Sequence, residues 1–163
     1  MIKTNALRII ETSGIRHLIH VYDISDGRID GLSVAGKIER EPERVFKTLV
    51  AMGKNVGINV FVIPVTCELD LKKAAAAICD KYAEMIKSRD LEPQTGYIHG
   101  GCSPVGMKRA FPTFIEETAV LYETIIVSAG RIGLQMELAP EDLARVTGAA
   151  FRDLIGFHTG IST

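Results

Sequence analysis

Two apolar segments joined by a short turn constrain the fold of this chain most strongly. Residues 45–52 alternate their side chains with the two-residue period of a β-strand, and residues 57–65 also have the composition of a strand. The glycine-containing segment 53–56 between them predicts a hairpin. Residues 123–128 and 133–138 predict a second pair of strands. Because the strands cluster as hairpins and are not regularly separated by long helices, the pattern favours an α+β fold over a doubly wound parallel sheet.

Five short helices are predicted between the strands, several with local start or stop signals. Asp70 is a good N-cap for residues 71–78, and Pro140 suits the first turn of a helix that Gly148 ends. The five predicted helices are 6–12, 33 to just before Pro42, 71–78, 88 to just before Pro93, and 140–146.

The remaining segments are less decisive. Residues 16–22 and 151–155 predict further strands because they are rich in β-branched and aromatic residues. Residues 82–86 and 114–120 fit either a strand or a helix. The polar tail, 156–163, is expected to fray.

The composition bounds the class of protein. A length of 163 residues fits one domain, 1–163, and an apolar fraction of 47% indicates a globular chain. Lys and Arg number 19 against 20 Asp and Glu, a net charge of −1, whereas free-standing nucleic-acid binders usually carry a basic excess. Any contact with nucleic acid is therefore expected to be local or shared with a partner.

Targeting and metal signals are also missing from the sequence. The N-terminus has no secretory signal, and no apolar run approaches the roughly 20 residues that span a bilayer, so a cytoplasmic protein without membrane contact is predicted. The cysteines at 67, 79 and 102 form neither a disulfide framework nor a zinc pattern. Without a phosphate-binding glycine motif or a metal-ligand spacing, no cofactor and no metal are predicted.

A glycine-rich segment, 95–109, is the most informative part of the chain for function. It carries the adjacent pair Gly100 and Gly101, which can bring main-chain amides close to a ligand because no side chain intervenes. Ser103 and Pro104 follow and stiffen the loop. A plain glycine-rich turn between structured segments is the alternative interpretation.

Lys47 is a second candidate. On the strand 45–52 it shares one face with Leu49 and Ala51, and either face could belong to the core. A lysine on a mostly apolar face is unfavourable unless its ammonium group reaches solvent or an anion. Two interpretations stay open: an edge-strand lysine that points to solvent and prevents aggregation, or a fixed cation at the mouth of a cleft.

Six short motifs, taken in order, resemble one family. They are Phe46-Lys-Thr-Leu49, Val60-Phe-Val-Ile-Pro64, Leu69-Asp-Leu-Lys-Lys-Ala-Ala75, Thr95-Gly-Tyr97 with Gly100-Gly-x-Ser-Pro-x-Gly106, Val127-Ser128, and Ala139-Pro-Glu-Asp-Leu143. The chain resembles the YbaK/EbsC-type proteins, the free-standing Cys-tRNA(Pro) deacylases, which are similar to the editing domain inserted in bacterial prolyl-tRNA synthetases. The likeness runs from about Tyr22 to the last predicted helix, and is loose between Tyr22 and Lys47. It implies a mixed, partly barrel-like β-sheet wrapped by helices, with the site in a cleft on the sheet.

The resemblance also implies a reaction. The protein would remove cysteine from mischarged Cys-tRNA(Pro), acting in trans and alongside prolyl-tRNA synthetase. The substrate's own thiol would attack its own ester carbonyl and give a cyclic thiolactone and free tRNA, an intramolecular step that benefits from high effective molarity. The protein would then need neither a nucleophile nor a metal of its own.

The motif matches assign roles to individual residues. Lys47 would hold the tRNA end or the ester, and a main-chain amide of Gly100 or Gly101 would stabilise the developing oxyanion. Tyr22 would stack on the terminal adenine, and Ser128 would hydrogen-bond the substrate's amino group. Three more residues are assigned supporting roles in substrate binding: Thr48, Ser103 and Pro104.

Three alternatives stay open at this point. Cys102 could act as a protein nucleophile with His99 as its base, although the family does not depend on a thiol there. The substrate could be another mischarged tRNA such as Ala-tRNA(Pro), whose ester has no thiol and would need an activated water. The chain could also be a non-catalytic, regulatory module that binds the tRNA end.

Overall fold

The computed structural model describes residues 3–156. Its α-helices are α1 (Asn5–Thr12), α2 (Gly31–Lys37), α3 (Leu71–Ala77), α4 (Ser88–Thr95) and α5 (Pro140–Thr147). Its strands are β1 (Leu18–Val21), β2 (Phe46–Gly53), β3 (Ile58–Pro64), β4 (Glu68–Leu69), β5 (Ala83–Met85), β6 (Thr113–Glu116), β7 (Ile125–Arg131), β8 (Leu134–Leu138), β9 (Ala150–Arg152) and β10 (Ile155–Gly156). Short 3-10 helices occupy Pro42–Arg44 and Glu117–Leu121.

A five-stranded sheet with the order β5-β2-β3-β6-β9 forms the centre of the fold. The first predicted hairpin is confirmed, since β2 and β3 pair antiparallel from Phe46 opposite Pro64 to Met52 opposite Ile58. β3 pairs with β6 in parallel, as β6 does with β9, so this sheet is mixed. The second predicted hairpin, β7 with β8, joins β1 in an antiparallel three-stranded sheet. The predicted α+β class is confirmed.

Both faces of the five-stranded sheet are buried, which explains why the sequence could not separate a core face of β2 from a solvent face. Phe46 and Val62 lie on one face, in a cluster with residues of α1 and of the three-stranded sheet. Ala51 and Phe61 lie on the opposite face and pack with Ala74 of α3. β2 is second in the order of the sheet, but at Lys47 it pairs with β3 alone, because β5 reaches only Ala51 to Gly53. Both interpretations of Lys47 therefore stay open at this point.

The three-stranded sheet has one apolar face and one polar face. Val127 and Met136 enter the same core cluster as α1. Because residues opposite each other in an antiparallel pair share a face, Ser128, Gln135 and His20 all lie on the other side of this sheet. That second face carries three buried polar side chains, Ser128, Gln135 and Glu137.

Several predicted boundaries need correction. α2 begins at Gly31, two residues before the predicted start at Ser33, because the Asp30 side chain caps it. α4 does not stop before Pro93 but runs to Thr95. Its last turn is held by the Thr95 hydroxyl, which donates to the Leu91 carbonyl, and by the Gly96 N–H, which donates to the carbonyl of Glu92.

The ambiguous segments are resolved by long-range pairing. Residues 82–86 contain β5, and 114–120 contain the end of β6 followed by a 3-10 helix. The single strand predicted at 151–155 is instead two strands, β9 and β10, which pair with different partners. The predicted fraying of the tail concerns residues of which 157–163 lie outside the described part of the chain.

Candidate active site

A cavity opens where β2 and β7 separate. The two strands meet at one parallel bridge, Val45 with Ile126, and then diverge because β2 continues into the five-stranded sheet and β7 into the three-stranded sheet. The space between them has a volume of about 280 Å³. Its walls come from both sheets, from the start of α2 and from the glycine-rich segment: Ile29, Asp30, Gly31, Val34, Val45, Phe46, Lys47, Thr48, Leu49, Val65, Leu91, His99, Gly100, Cys102, Ser128 and Gln135.

Four of the residues predicted from the sequence line this one cavity. Lys47 and Thr48 come from β2, Ser128 comes from β7, and Gly100 comes from the glycine-rich segment. These residues are up to 81 positions apart in the chain, from 47 to 128. The fold therefore brings together residues that the sequence could relate only through motif order.

Lys47 stands in the wall as a half-buried cation. Within residues 3–156 its ammonium group makes no ion pair, although seven other basic side chains there do. A partly desolvated cation without a counter-ion is unfavourable on its own and becomes favourable when an anion or a strongly polarised oxygen binds. The geometry fits the interpretation of Lys47 as a fixed cation in a cleft.

The main chain of β2 also faces the cavity. β5 pairs with β2 only from Ala51 to Gly53. The Ile86 N–H donates to the carbonyl of Val50 on that edge, so the alternation of strand hydrogen bonds directs the N–H and C=O of Thr48 to the same edge. The Thr48 hydroxyl oxygen is shielded from solvent and has no partner within residues 3–156. This side of the cavity therefore offers both donors and acceptors.

The two adjacent glycines have different roles. Gly100 has φ of +86°, lines the cavity, and has an amide that no hydrogen bond engages within the described residues. The Gly101 amide donates to the carbonyl of Ile98, so it is not free to bind an oxyanion. A Cβ at Gly101 would lie 2.9 Å from the main-chain nitrogen of Ile132. Gly101 thus allows the loop to pack against the β7–β8 turn, and the predicted oxyanion donor rests on the Gly100 amide alone.

Ser103, Pro104 and Tyr22 lie outside the cavity lining. Ser103 is fully buried and its hydroxyl accepts the N–H of Val105, while Pro104 lines a separate, smaller cavity. Tyr22 is buried beside the cavity, and the Lys37 ammonium lies 5.9 Å from the centre of its ring. The predicted contact of Ser103 and Pro104 with substrate is not supported by these positions. Stacking of Tyr22 on an adenine would require its packing to open.

Ser128 and Gln135 lie opposite each other on β7 and β8. The Ser128 hydroxyl accepts the Gly130 N–H and keeps its own proton available for donation. Gln135 was not singled out from the sequence, yet its side chain lines the cavity, is 6% exposed, and makes no hydrogen bond within residues 3–156. A single Gln in a strand sequence does not indicate a binding site, because only the pairing of β8 with β7 turns its side chain toward the cavity.

A saturated ion cluster lies two residues farther along β8. The Glu137 carboxylate accepts from Thr124 at 2.7 Å, His20 at 2.7 Å, Arg44 at 2.9 Å and Arg40 at 3.0 Å. Burial alone would raise the pKa of Glu137, but the hydrogen bonds and the arginine charges outweigh it and lower that pKa to about 2. Because Arg44 directly precedes Val45, this cluster fixes the start of β2 against the three-stranded sheet.

Comparison with known proteins identifies the family. The sequence profile described as "Aminoacyl-tRNA editing domain" matches residues 32–146, a span that contains Lys47, Gly100, Ser128 and Gln135. The chain belongs to the aminoacyl-tRNA editing domain family. The predicted resemblance is confirmed by a second comparison. The chain is 46% identical over 152 residues, 93% of each protein, to an Enterococcus faecalis protein named "Putative Cys-tRNA(Pro)/Cys-tRNA(Cys) deacylase EbsC".

Solved structures support the editing-domain fold. One, described as "a putative trans-editing enzyme for prolyl tRNA synthetase", matches with a TM-score of 0.81 at 22% identity and covers 96% of this chain and 100% of that one. Another, "hypothetical protein APE2540", matches with a TM-score of 0.85 at 18% identity and covers 94% of this chain and 100% of that one. At these identities the two similarities establish the fold alone.

Cys102 is the thiol of this editing domain that lines the cavity, and its surroundings do not activate it. Burial raises the pKa of Cys102 to about 12, so the thiol stays protonated at neutral pH. A nucleophilic cysteine needs the opposite shift. The thiol therefore acts as a small apolar wall group, packed with Val50 and Tyr97.

Neither a metal-ligand cluster nor a membrane-spanning helix occurs in the described residues. Within residues 3–156, no group of three or more His, Cys, Asp or Glu side chains is placed to hold a metal ion. No helix in that range has both the length and the apolar character to cross a membrane.

Proposed function

We propose that this editing domain removes cysteine from mischarged Cys-tRNA(Pro) in trans. The observation that carries the proposal is the cavity itself, where the unpaired Lys47 cation, the free Gly100 amide and the open edge of β2 at Thr48 line one space. The name of the 46% identical relative supports a cysteinyl ester as the substrate. The 3′ adenosine of the tRNA would lie at the cavity mouth, with its aminoacyl group inside.

The chemistry uses the substrate's sulfur. The cysteinyl thiol loses its proton to solvent, and its sulfur attacks the ester carbonyl carbon to form a C–S bond. The C–O bond to the ribose then breaks, and the leaving oxygen takes up a proton, giving a thiolactone and free tRNA. The Gly100 amide would stabilise the oxyanion, and one such donor contributes about 10²–10³ in rate. Lys47 would add charge stabilisation at the same oxygen or hold the neighbouring phosphate.

A second check on cysteine has a clear physical reason. Cysteine and proline are close in size, and one methylene group changes binding by only about 1–3 kcal/mol, so a proline pocket cannot exclude cysteine strongly. An editing site that requires a thiol excludes proline, because a prolyl ester has no thiol to attack its own carbonyl. Specificity then comes from reactivity and not from fit alone.

We also propose that the domain works beside prolyl-tRNA synthetase in the cytoplasm. A net charge of −1 is low for a protein that binds tRNA by itself. Direct transfer of the mischarged tRNA from the synthetase would supply the tRNA affinity that this nearly neutral protein lacks. The cavity would then need to recognise only the aminoacylated end.

A deacylation panel tests the proposal. Rates would be measured with Cys-tRNA(Pro), Cys-tRNA(Cys), Ala-tRNA(Pro) and Pro-tRNA(Pro), together with S-methyl-cysteinyl-tRNA(Pro), which adds one methyl group to the side chain and removes the nucleophile. We expect fast loss of cysteine and background rates for the alanyl, prolyl and S-methyl esters. Rapid deacylation of the S-methyl ester would rule out attack by the substrate thiol, and rapid deacylation of Ala-tRNA(Pro) would move the specificity to alanine.

A further inference from the structure

The outer edge of β1 has no strand beside it. β1 is the first strand of the three-stranded sheet and pairs with β8 on one side. The Tyr22 N–H donates to the Gly133 carbonyl, so the alternation of antiparallel hydrogen bonds directs the N–H and C=O of Ile19 and Val21 to the other side. Among residues 3–156, no hydrogen bond engages those main-chain groups. β1 therefore presents unused donors and acceptors at its edge.

Both edges of the five-stranded sheet carry an exposed charge, and the edge at β1 does not. The two edge strands of that sheet, β5 and β9, contain Glu84 and Arg152. Charges of this kind discourage pairing with another chain. β1 reads Leu-Ile-His-Val, without a lysine, an arginine, a carboxylate or a proline, and its pairing with β8 has no bulge. β1 thus lacks the usual features that block the addition of a further strand.

The charges that flank β1 are complementary to one another in the antiparallel direction. Arg16 and His17 precede the strand and Asp23 follows it, so one end is basic and the other is acidic. Arg16 and Asp23 are exposed, and within residues 3–156 neither makes an ion pair. If two copies pair antiparallel, the basic end of each strand meets the acidic end of the other. A parallel pair would bring like charges together instead.

One antiparallel register uses all the free main-chain groups of the strand. With the two-fold axis at His20, Ile19 lies opposite the partner's Val21, and each such pair exchanges two hydrogen bonds. The same register sets His17 opposite the partner's Asp23. A shift of the axis to Ile19 would pair Ile19 with itself and would set Val21 opposite a residue outside β1. The axis at His20 therefore satisfies both the hydrogen bonds and the charges.

A cavity of about 480 Å³ lies beside the acidic end of β1. Residues 21–24 line it on one side, and residues 131–134 of the β7–β8 turn line it on the other. In the register with the axis at His20, residues 16–19 of the second copy run alongside residues 21–24 and cover this cavity. Three exposed apolar side chains would then be buried between the copies: Leu18 at 56%, Val21 at 73% and Ile24 at 48% exposure.

We propose that two copies of this chain form a symmetric dimer in which their β1 strands pair antiparallel and join the two three-stranded sheets into one. The dimer is closed, because the pairing uses the free edge of β1 in both copies. A contact centred on one short strand is small, so we expect a dissociation constant in the micromolar range. Each cavity between β2 and β7 is lined by a single chain, so the dimer does not depend on the proposed reaction.

Sedimentation velocity over a concentration series across the micromolar range tests the dimer. We expect the wild type to change from monomer to dimer as its concentration rises. Val21→Lys places a charge on the free edge at a side chain that is mostly exposed, and it should raise the dissociation constant at least about tenfold. Met85→Lys is the matched control, because Met85 is also an exposed apolar residue on an edge strand, β5, and this variant should dimerise as the wild type does.

A charge swap tests the antiparallel direction and does not depend on a loss of fold. One variant carries Arg16→Glu together with His17→Glu, and the other carries Asp23→Lys. Either variant alone brings like charges together at both ends of the pair, and its dissociation constant should rise at least about tenfold. An equimolar mixture of the two brings opposite charges together at both ends, so it should dimerise about as tightly as the wild type.

Three results would overturn the proposal. They are a wild type that stays monomeric at every concentration, a Val21→Lys variant that dimerises as the wild type does, and a mixture of the charge variants that does not recover dimerisation. If the wild type is monomeric and Val21→Lys instead loses binding to prolyl-tRNA synthetase, the edge of β1 serves that partner and the dimer is ruled out.

Discussion

Glu137 and Gln135 lie two residues apart on the same face of β8, but the hydrogen bonding of their side chains is opposite. Glu137 accepts hydrogen bonds from four side chains, whereas Gln135 has no partner within residues 3–156. Both are almost fully buried, at 5% and 6% exposure. A buried polar group that the protein satisfies completely serves the fold, and one that the protein leaves open is available to a ligand. This face of the sheet therefore has a structural half, around Glu137, and a binding half, around Gln135.

The largest effect should be on stability, and it should come from substituting Glu137 in the structural half. Glu137→Gln would leave two arginines without their shared counter-ion and is expected to lower the free energy of unfolding by on the order of 3 kcal/mol. Gln135→Ala, as the matched variant, should change the free energy of unfolding much less while it weakens substrate binding. Urea unfolding of the two variants tests the contrast, and equal destabilisation would remove it.

The same carboxylate predicts an acid sensitivity of stability. The folded-state pKa of Glu137 is lowered to about 2 from 4.5, so its stabilising contribution is fully present above pH ~5 and is lost as the pH falls toward 2. Wild type should therefore lose more stability than Glu137→Gln between those values. The free energy of unfolding of both proteins would be measured across this pH range, and the two curves should converge as the pH falls. A constant difference between the curves would mean that the ion cluster does not lower the pKa of Glu137.

A smaller effect, confined to activity, should come from Lys47, which lines the same cavity as Gln135. Lys47→Ala is expected to lower kcat/KM for Cys-tRNA(Pro) at least tenfold, equivalent to about 1.4 kcal/mol, with little change in stability. Lys54, in the hairpin turn at the far end of β2, provides the control, and Lys54→Ala should behave as wild type. Equal rates for wild type and Lys47→Ala would remove this cation from the site.

The smallest effect should come from Cys102. Because its thiol is protonated and packed as a wall group, Cys102→Ala should retain most of the activity, within a few-fold of wild type. Single-turnover deacylation of Cys-tRNA(Pro) measures this directly. Loss of turnover in a variant that keeps its fold would show that the protein, and not the substrate, supplies the sulfur.

The local signals in this chain were largely sufficient for its elements. Both hairpins, the Asp70 cap of α3 and the Pro140 and Gly148 limits of α5 form as predicted, because each depends on the φ preferences and hydrogen bonds of a few neighbouring residues. The prediction that α4 ends before Pro93 is wrong because its last turn is held by the hydrogen bonds of Thr95 and Gly96, which compensate for the missing proline N–H.

By itself, the amino-acid sequence determined the α+β class and the hairpins, and its ordered motifs selected Lys47 and Gly100 as candidates, both of which line the cavity. Tertiary structure alone decided that β2 and β7 separate after a single bridge, that Gly101 uses its amide within the loop, and that Asp30 and Gln135 line the same cavity. The physical reason is range. Turns, caps and strand periods depend on neighbouring residues. A cavity forms where distant strands do not pair, and no single segment of the sequence specifies which strands those are.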